Sequence, residues 1–500
     1  MRKKKLVAMG LVTAMALSLA ACGSSSSSST ASTTGSTEST TAASTTTDSS
    51  ATDSSATASN ASASSATDTS STGSIQYKDI TLGKTGTDVT AEIKLLTNRT
   101  DMTKSDYARE NWDAYIKKFN ETYPNIKVDV EGITDYANDT LLRLQGGDWG
   151  DIMMIPAVDK ADLSTYFLSY GSQADVSKEV NYINNFIYDK QVYGIPITAN
   201  ALGIVYNKAV FKKAGIDTLP KTTDEFIKDL KAIKDKTDAT PLYTNYFANW
   251  TLGAWDAYIG GSATGDSKYM NQELLHTKDP FSDPGDGTHA YNVYKVLYDA
   301  VSQGLTEDDY TTTDWESSKG MMNSGKVATM VLGSWAVPQM QQAGSNPDDV
   351  AYMPFPITIN GKQYASASPD YNFGINKDDS AEKQEASMIF VKWMTEESNF
   401  SYNEGGLPLK VGDSKYPDLY KGFIDNKVEF VEDDAAVSGE EDLMNRLNQD
   451  SELNINNGGN DKVAAIVEHA ANKDEDFDSI MKEWNQKWSD AQKTEKVETK

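Results

Sequence analysis

A strand, a helix and a second strand succeed one another between residues 92 and 130, and that order most restricts what this chain can fold into. Glu92-Ile93-Lys94-Leu95-Leu96 reads as a strand, followed by the polar loop Thr97-Asn98-Arg99-Thr100-Asp101. Trp112, Tyr115, Ile116 and Phe119 then recur at i, i+3, i+4 and i+7, the spacing of one buried helical face. Pro124 ends that helix, and Ile126, Val128 and Val130 alternate as a second strand. Parallel strands need a helical crossover, so the unit is β-α-β. A further helix is expected over 135–144, then Gly146-Gly147-Asp148-Trp149-Gly150-Asp151 and an apolar strand over 152–155. The pattern returns with a strand over 202–206 and a short helix over 208–214, closed by Gly215 and followed by Pro220. Thr222 with Glu225 three residues on has the form of a capping box. The helix after it places Phe226, Ile227, Leu230 and Ile233 on one face. This alternation predicts parallel α/β layers, one sheet per lobe.

The first residues are of another kind. Arg2 to Lys5 are basic, an apolar run covers 6–19, and Leu19-Ala20-Ala21-Cys22 ends on the only cysteine. A basic start, a short apolar stretch and a small-residue cleavage site read as an export signal that is removed; a membrane span needs about 20 apolar residues. The tetrapeptide resembles the bacterial lipobox, which implies that 1–21 is a lipoprotein signal peptide and that Cys22 is lipidated as the mature N-terminus. Residues 23–74 are almost entirely Ser, Thr, Ala, Asp and Gly, with no Lys, Arg or aromatic residue. Such a stretch cannot bury enough apolar surface to offset its chain entropy, so a disordered tether is expected over 22–75. A flexible chain of about 50 residues spans roughly 40 Å.

Roughly 425 residues remain for the folded body, enough for two lobes. The formal net charge is −27. The four basic residues of the leader balance Glu38, Asp48, Asp53 and Asp68 of the tether, so the folded body carries all of it. A body this acidic is repelled by nucleic acid and anionic lipid, which disfavours both as partners. With Cys22 spent on the anchor, disulfides, thiol nucleophiles and cysteine metal sites are excluded. His276, His289 and His469 have no metal-ligand spacing, and no G-x-S-x-G, P-loop or H-E-x-x-H pattern occurs. No cofactor, metal or catalytic residue is expected. The loop 279–287 has carboxylates that could hold calcium, but its spacing does not match an EF-hand, and a turn-rich surface loop is the expectation.

Four segments in order then resemble one family. The run from Tyr193-Gly194-Ile195-Pro196 through Asn200-Ala201-Leu202-Gly203 to Tyr206-Asn207-Lys208 looks like the crossover segment of bacterial extracellular solute-binding proteins, in the subfamily that includes the maltose-binding protein. Asn111-Trp112 through Pro124-Asn125-Ile126-Lys127-Val128, Gly325-Lys326-Val327-Ala328-Thr329-Met330 through Gly333-Ser334-Trp335, and Asn403-Glu404-Gly405-Gly406-Leu407-Pro408-Leu409 agree with it. The resemblance implies an α/β, two-lobed periplasmic-binding-protein-like fold, with a hinge and a ligand cleft between the lobes. It implies crossovers near 197–201 and 372–375, lobe one over 76–198 plus 376–425, and lobe two over 199–375 plus 426–495. The family usually binds sugars or oligosaccharides for ABC importers.

Sugars are held by aromatic faces against their C–H side and by planar polar groups on their hydroxyls. Trp335 is the expected stacking residue, where the matching Trp of the family lines the cleft. Arg99 and Asp101, in the loop after the first strand, match a region where members of the family contact ligand with charged side chains, at the strand end where open α/β sheets gather ligands. Asn200 occupies a crossover position where some relatives carry a carboxylate. Trp250 stands in the aromatic run 243–250, and Asp370, Tyr371 and Glu404 are further candidates. Trp255 and Tyr258 are expected in the core, and Trp315 is expected to pack at a helix start.

The leading expectation is a monomeric receptor that is not an enzyme. It is anchored by Cys22 to the outer face of the cytoplasmic membrane of a Gram-positive cell, and it delivers a carbohydrate to ABC permease subunits. The alternatives are a surface glycoside hydrolase, which needs two carboxylates about 5–9.5 Å apart, and a ligand-sensing lipoprotein of the same fold.

Overall fold

The structure is a computed structural model that describes residues 75–248, 250–456 and 461–500. The signal peptide, Cys22 and the tether up to residue 74 lie outside the described residues.

The opening unit forms as its periodicity requires. Strand β1 (Ala91–Thr97) pairs in parallel with β2 (Ile126–Gly132) along its whole length, and α1 (Trp112–Thr122) crosses between them. Asn111 caps α1 by accepting the N–H of Ala114. Helix α2 (Tyr136–Gly146) ends on Gly147 at φ 74°, a left-handed position that favours glycine. Strand β3 (Ile152–Met154) joins β1 in parallel.

The crossover segment is one strand, β4 (Ile195–Asn207), far longer than the 202–206 expected. Helices α3 (Lys208–Ala214) and α4 (Thr223–Lys236) follow. Thr222 caps α4 through the N–H of Glu225 at 3.2 Å. The reciprocal bond of a capping box is displaced by one residue, since the Glu225 carboxylate takes the N–H of Lys221 at 2.7 Å. Then come β5 (Thr240–Leu242), α5 (Trp315–Asn323), β6 (Val327–Gly333), α6 (Ala336–Gln342), β7 (Val350–Met353), β8 (Tyr364–Ile375), α7 (Ala381–Glu396), α8 (Phe400–Asn403) and β9 (Glu429–Val431).

These strands form a single nine-stranded sheet in the order β2-β1-β3-β8-β4-β6-β5, with β7 beside β4 and β9 beside β8. The expectation of one sheet per lobe fails because β4 and β8 are long enough to carry the pairing through both. They run antiparallel, from Ala201 opposite Ala367 to Ile195 opposite Phe373. Because β3 is antiparallel to β8 and β6 antiparallel to β4, β1 points away from the first lobe while β6 points back toward it. The C-terminal ends of β1 and β6 therefore face each other beside the β4–β8 ladder. A separate small antiparallel sheet lies within 171–192.

Leu95, Trp112, Phe119, Ile195, Phe373, Phe390 and Trp393 share one core. Ile204, Phe211, Phe226, Tyr294, Trp484 and Trp488 share another, with Trp255 and Tyr258 inside it as expected. Leu407, Leu409, Tyr420 and Phe423, from the stretch assigned above to lobe one, sit in a third cluster with Ala199, Val205, Met330 and Tyr352.

Candidate functional site

The converging strand ends enclose a cavity of about 280 Å³, lined by Asn98, Arg99, Thr198, Asn200, Trp335, Gln339, Asp370, Tyr371 and Glu404. Arg99, Asn200, Trp335, Asp370, Tyr371 and Glu404, each picked out from the sequence, thus meet in one place. Asp101 and Trp250 stand behind members of the lining.

Trp335 owes its position to the two residues before it. A Cβ on Gly333 would lie 2.6 Å from the indole Nε1, so only glycine lets the ring fold back over the strand end. The Ser334 hydroxyl donates to Asn200 Oδ1 at 3.2 Å and accepts the Ala201 N–H at 3.3 Å, which ties this turn to β4. The indole then lies against Trp250 and Trp315, with ring centroids 5.5 and 5.6 Å away. Trp315 does begin a helix, as expected, and it also completes this aromatic wall. Trp250 is 44% exposed at the outer end of the wall.

The opposite wall is charged. Glu404, with its side chain 6% exposed, accepts from Arg99 Nη1 and Nη2 at 3.1 Å, from Arg109 Nε at 2.9 Å and Nη2 at 2.6 Å, and from the Tyr107 hydroxyl at 3.0 Å. Arg99 also donates to both carboxylate oxygens of Asp101 at 2.9 Å. Burial alone would lower the Arg99 pKa, but Asp101 and Glu404 outweigh it and hold the group charged. For Asp101, partial burial pushes the carboxyl up, and the Arg99 bond more than reverses this.

The floor is the hinge ladder. Asp370 accepts Asn200 Nδ2 at 3.1 Å and the Tyr371 N–H at 2.8 Å, and among the described residues it has no salt bridge. Burial pushes its carboxyl above the usual range, opposed by Arg99 and by those two donors. Tyr371 has φ 50° and drops out of the ladder between Asp370 and Asn372. That left-handed backbone is uncommon for a bulky side chain. It sets the ring against Arg99, 5.7 Å from the guanidinium carbon to the centroid.

Asn98, Thr198 and Gln339 were not foreseen, nor were Tyr107 and Arg109 behind them. Thr198 stands two residues before Asn200 on the same face of a strand, and Gln339 stands four after Trp335 on a helix, so those two were readable from periodicity. Tyr107 and Arg109 lie in an irregular loop and carry no such signal.

A larger cavity, about 840 Å³, opens beside Ala367, Ser368 and Pro369 of β8. It has Tyr188 as its single aromatic lining residue and none of the foreseen ones. The smaller cavity sets an aromatic ring among amide and charged groups. In the loop 279–287, the carboxylates of Asp283 and Asp286 take N–H groups of their own turn. Among the described residues no group of His, Cys, Asp and Glu has metal-holding geometry.

The profile of the bacterial extracellular solute-binding proteins matches residues 105–399. A manno-oligosaccharide specific solute-binding protein of Bifidobacterium animalis subsp. lactis, solved with mannotriose, is 55% identical with a TM-score of 0.79, covering 84% of this chain and 99% of that one. A binding protein of an ABC transporter from the same organism, solved with mannobiose, has the same identity, coverage and TM-score. The multiple sugar-binding protein of Streptococcus mutans is 27% identical over 309 residues, 59% of this chain and 71% of that protein.

Proposed function

Because the chain belongs to the bacterial extracellular solute-binding proteins, we propose that its cavity captures a carbohydrate, a manno-oligosaccharide first of all, for delivery to an ABC permease. The observation that carries this reading is one cavity lined by the Trp335 ring together with the polar groups of Asn98, Arg99, Asn200, Gln339 and Asp370. A flat ring covers the apolar face of a pyranose, while amides and charged groups bond its hydroxyls. Sugar units beyond the enclosed space would extend over the exposed ring of Trp250. The named ligands of the Bifidobacterium proteins support the choice of mannose chains.

The lobes close around the hinge formed by β4 and β8, and the stretch 407–425 moves with the second lobe, against which it packs. The protein acts as a monomer held to the outer face of a Gram-positive membrane by the lipid on Cys22. This cavity does not supply the pair of free carboxyls that glycoside hydrolysis needs: Glu404 is locked by two guanidinium groups and a phenol, which leaves Asp370 alone.

Calorimetry and tryptophan fluorescence with mannobiose, mannotriose and longer chains test the reading. Saturable binding without product formation is expected, with at least a tenfold loss of affinity in Trp335→Ala. Binding of an amino acid or peptide in place of every sugar would refute the carbohydrate assignment.

A further inference from the structure

We infer that the cleft admits uncharged glycans and rejects glycans carrying a carboxylate, and that Asp370 sets this preference. The inference rests on the carbohydrate reading above. It starts from the charges around the cavity. Arg99 and Arg109 are the cations: Arg99 is engaged by Asp101 on one side and Glu404 on the other, and Arg109, which stands behind the lining, is engaged by Glu404 through Nε and Nη2, with its Nη1 buried. Recognition of a carboxylate ordinarily uses the two parallel N–H groups of a guanidinium fork. Here Arg99 Nε and Nη2, the pair suited to that geometry, are bound to Asp101 at 2.9 Å.

Asp370 adds a third carboxylate to the two that balance the arginines, and it meets no cation in a salt bridge among the described residues. Its partners are the neutral Asn200 amide and a backbone N–H. The rest of the lining, Asn98, Thr198, Asn200, Gln339, Trp335 and Tyr371, is uncharged. A uronate ring in this cavity would bring its charge out of water toward Asp370 with no free cation to receive it, and a buried charge without a partner is strongly disfavoured. Sugar hydroxyls meet no such penalty, since Asp370 accepts from them and the amides both donate and accept. The formal net charge of −27 works in the same direction at long range.

The test is calorimetry at pH 8 with mannotriose and with a trimer of mannuronic acid, on the wild type, Asp370→Asn and Asp101→Asn. The wild type is expected to bind the uronate at least tenfold more weakly than mannotriose. Asp370→Asn keeps the shape and removes the repelling charge, and Asp101→Asn frees one side of the Arg99 fork. Each should narrow the gap at least threefold, and because they act at separate groups, misfolding of one leaves the other decisive. Equal affinities in the wild type, or a gap unchanged in the folded variants, overturns the inference. If neither trimer binds but another solute does, the carbohydrate reading itself falls, and this inference with it.

Discussion

Glu404 offers the most direct test of how the site is built. Its carboxylate, 6% exposed in the side chain, is the meeting point of Arg99, Arg109 and Tyr107. The two arginine side chains are 14% and 17% exposed. In Glu404→Gln the shape is kept, so no cavity opens, but Arg109 loses its carboxylate and Arg99 retains only Asp101. Breaking a buried ion pair by removing one partner costs about 3–5 kcal/mol. With Asp101 still compensating Arg99, the expected loss lies at the low end, about 3 kcal/mol. Asp101→Asn provides the contrast: Asp101 is 51% exposed in the side chain, so water screens its pair with Arg99 and its loss should cost under about 1 kcal/mol. Urea unfolding followed by tryptophan fluorescence measures both, as a shift in midpoint at unchanged slope. A Glu404→Gln protein within about 1 kcal/mol of the wild type would refute the reasoning, as would an Asp101→Asn protein destabilised as much as Glu404→Gln.

Three further outcomes are expected. In Gly203→Ala the new methyl would lie 2.5 Å from the carbonyl oxygen of Met353, so β4 must shift away from β7, at a cost of about 1–3 kcal/mol read from the same urea curves. Burial raises the carboxyls of Glu432 and Asp433 to about 7. Their contribution to stability is therefore complete below the unfolded carboxylate range and is lost as pH rises through about 7. The melting temperature should fall between pH 5.5 and pH 8, and Glu432→Gln should flatten that fall; an unchanged slope would count against the assignment. Cys22→Ser should abolish incorporation of labelled palmitate and release the protein from membranes into the medium, and retention on the membrane would argue for another anchor.

Much of the site was legible because its residues stand in segments that resemble the family, next to local marks of strand ends and turns. Arg99 follows a strand, in a loop that matches a ligand-contacting region of the family, and Trp335 follows a strand and Gly333-Ser334, where the family's matching Trp stands. Thr198 and Gln339 were equally open to periodicity, two and four residues from positions already singled out. Trp315 shows the limit of reading one helix at a time: it starts a helix as its neighbours predict, yet its ring also supports Trp335, which lies across the site from a different strand end.

Alternation of strands and helices, and the faces that Trp112 to Phe119 and Phe226 to Ile233 bury, follow from the order of residues alone. These are short-range properties, set by the repeat of a helix or a strand. The continuity of the nine-stranded sheet, the left-handed turn at Tyr371 and the closing of Glu404 onto Arg99, 305 residues earlier, were decided only in the tertiary structure. No local repeat encodes a contact at that separation. It forms because β4 and β8 cross between the lobes side by side and bring the C-terminal ends of β1, β6 and α8 together beside their ladder.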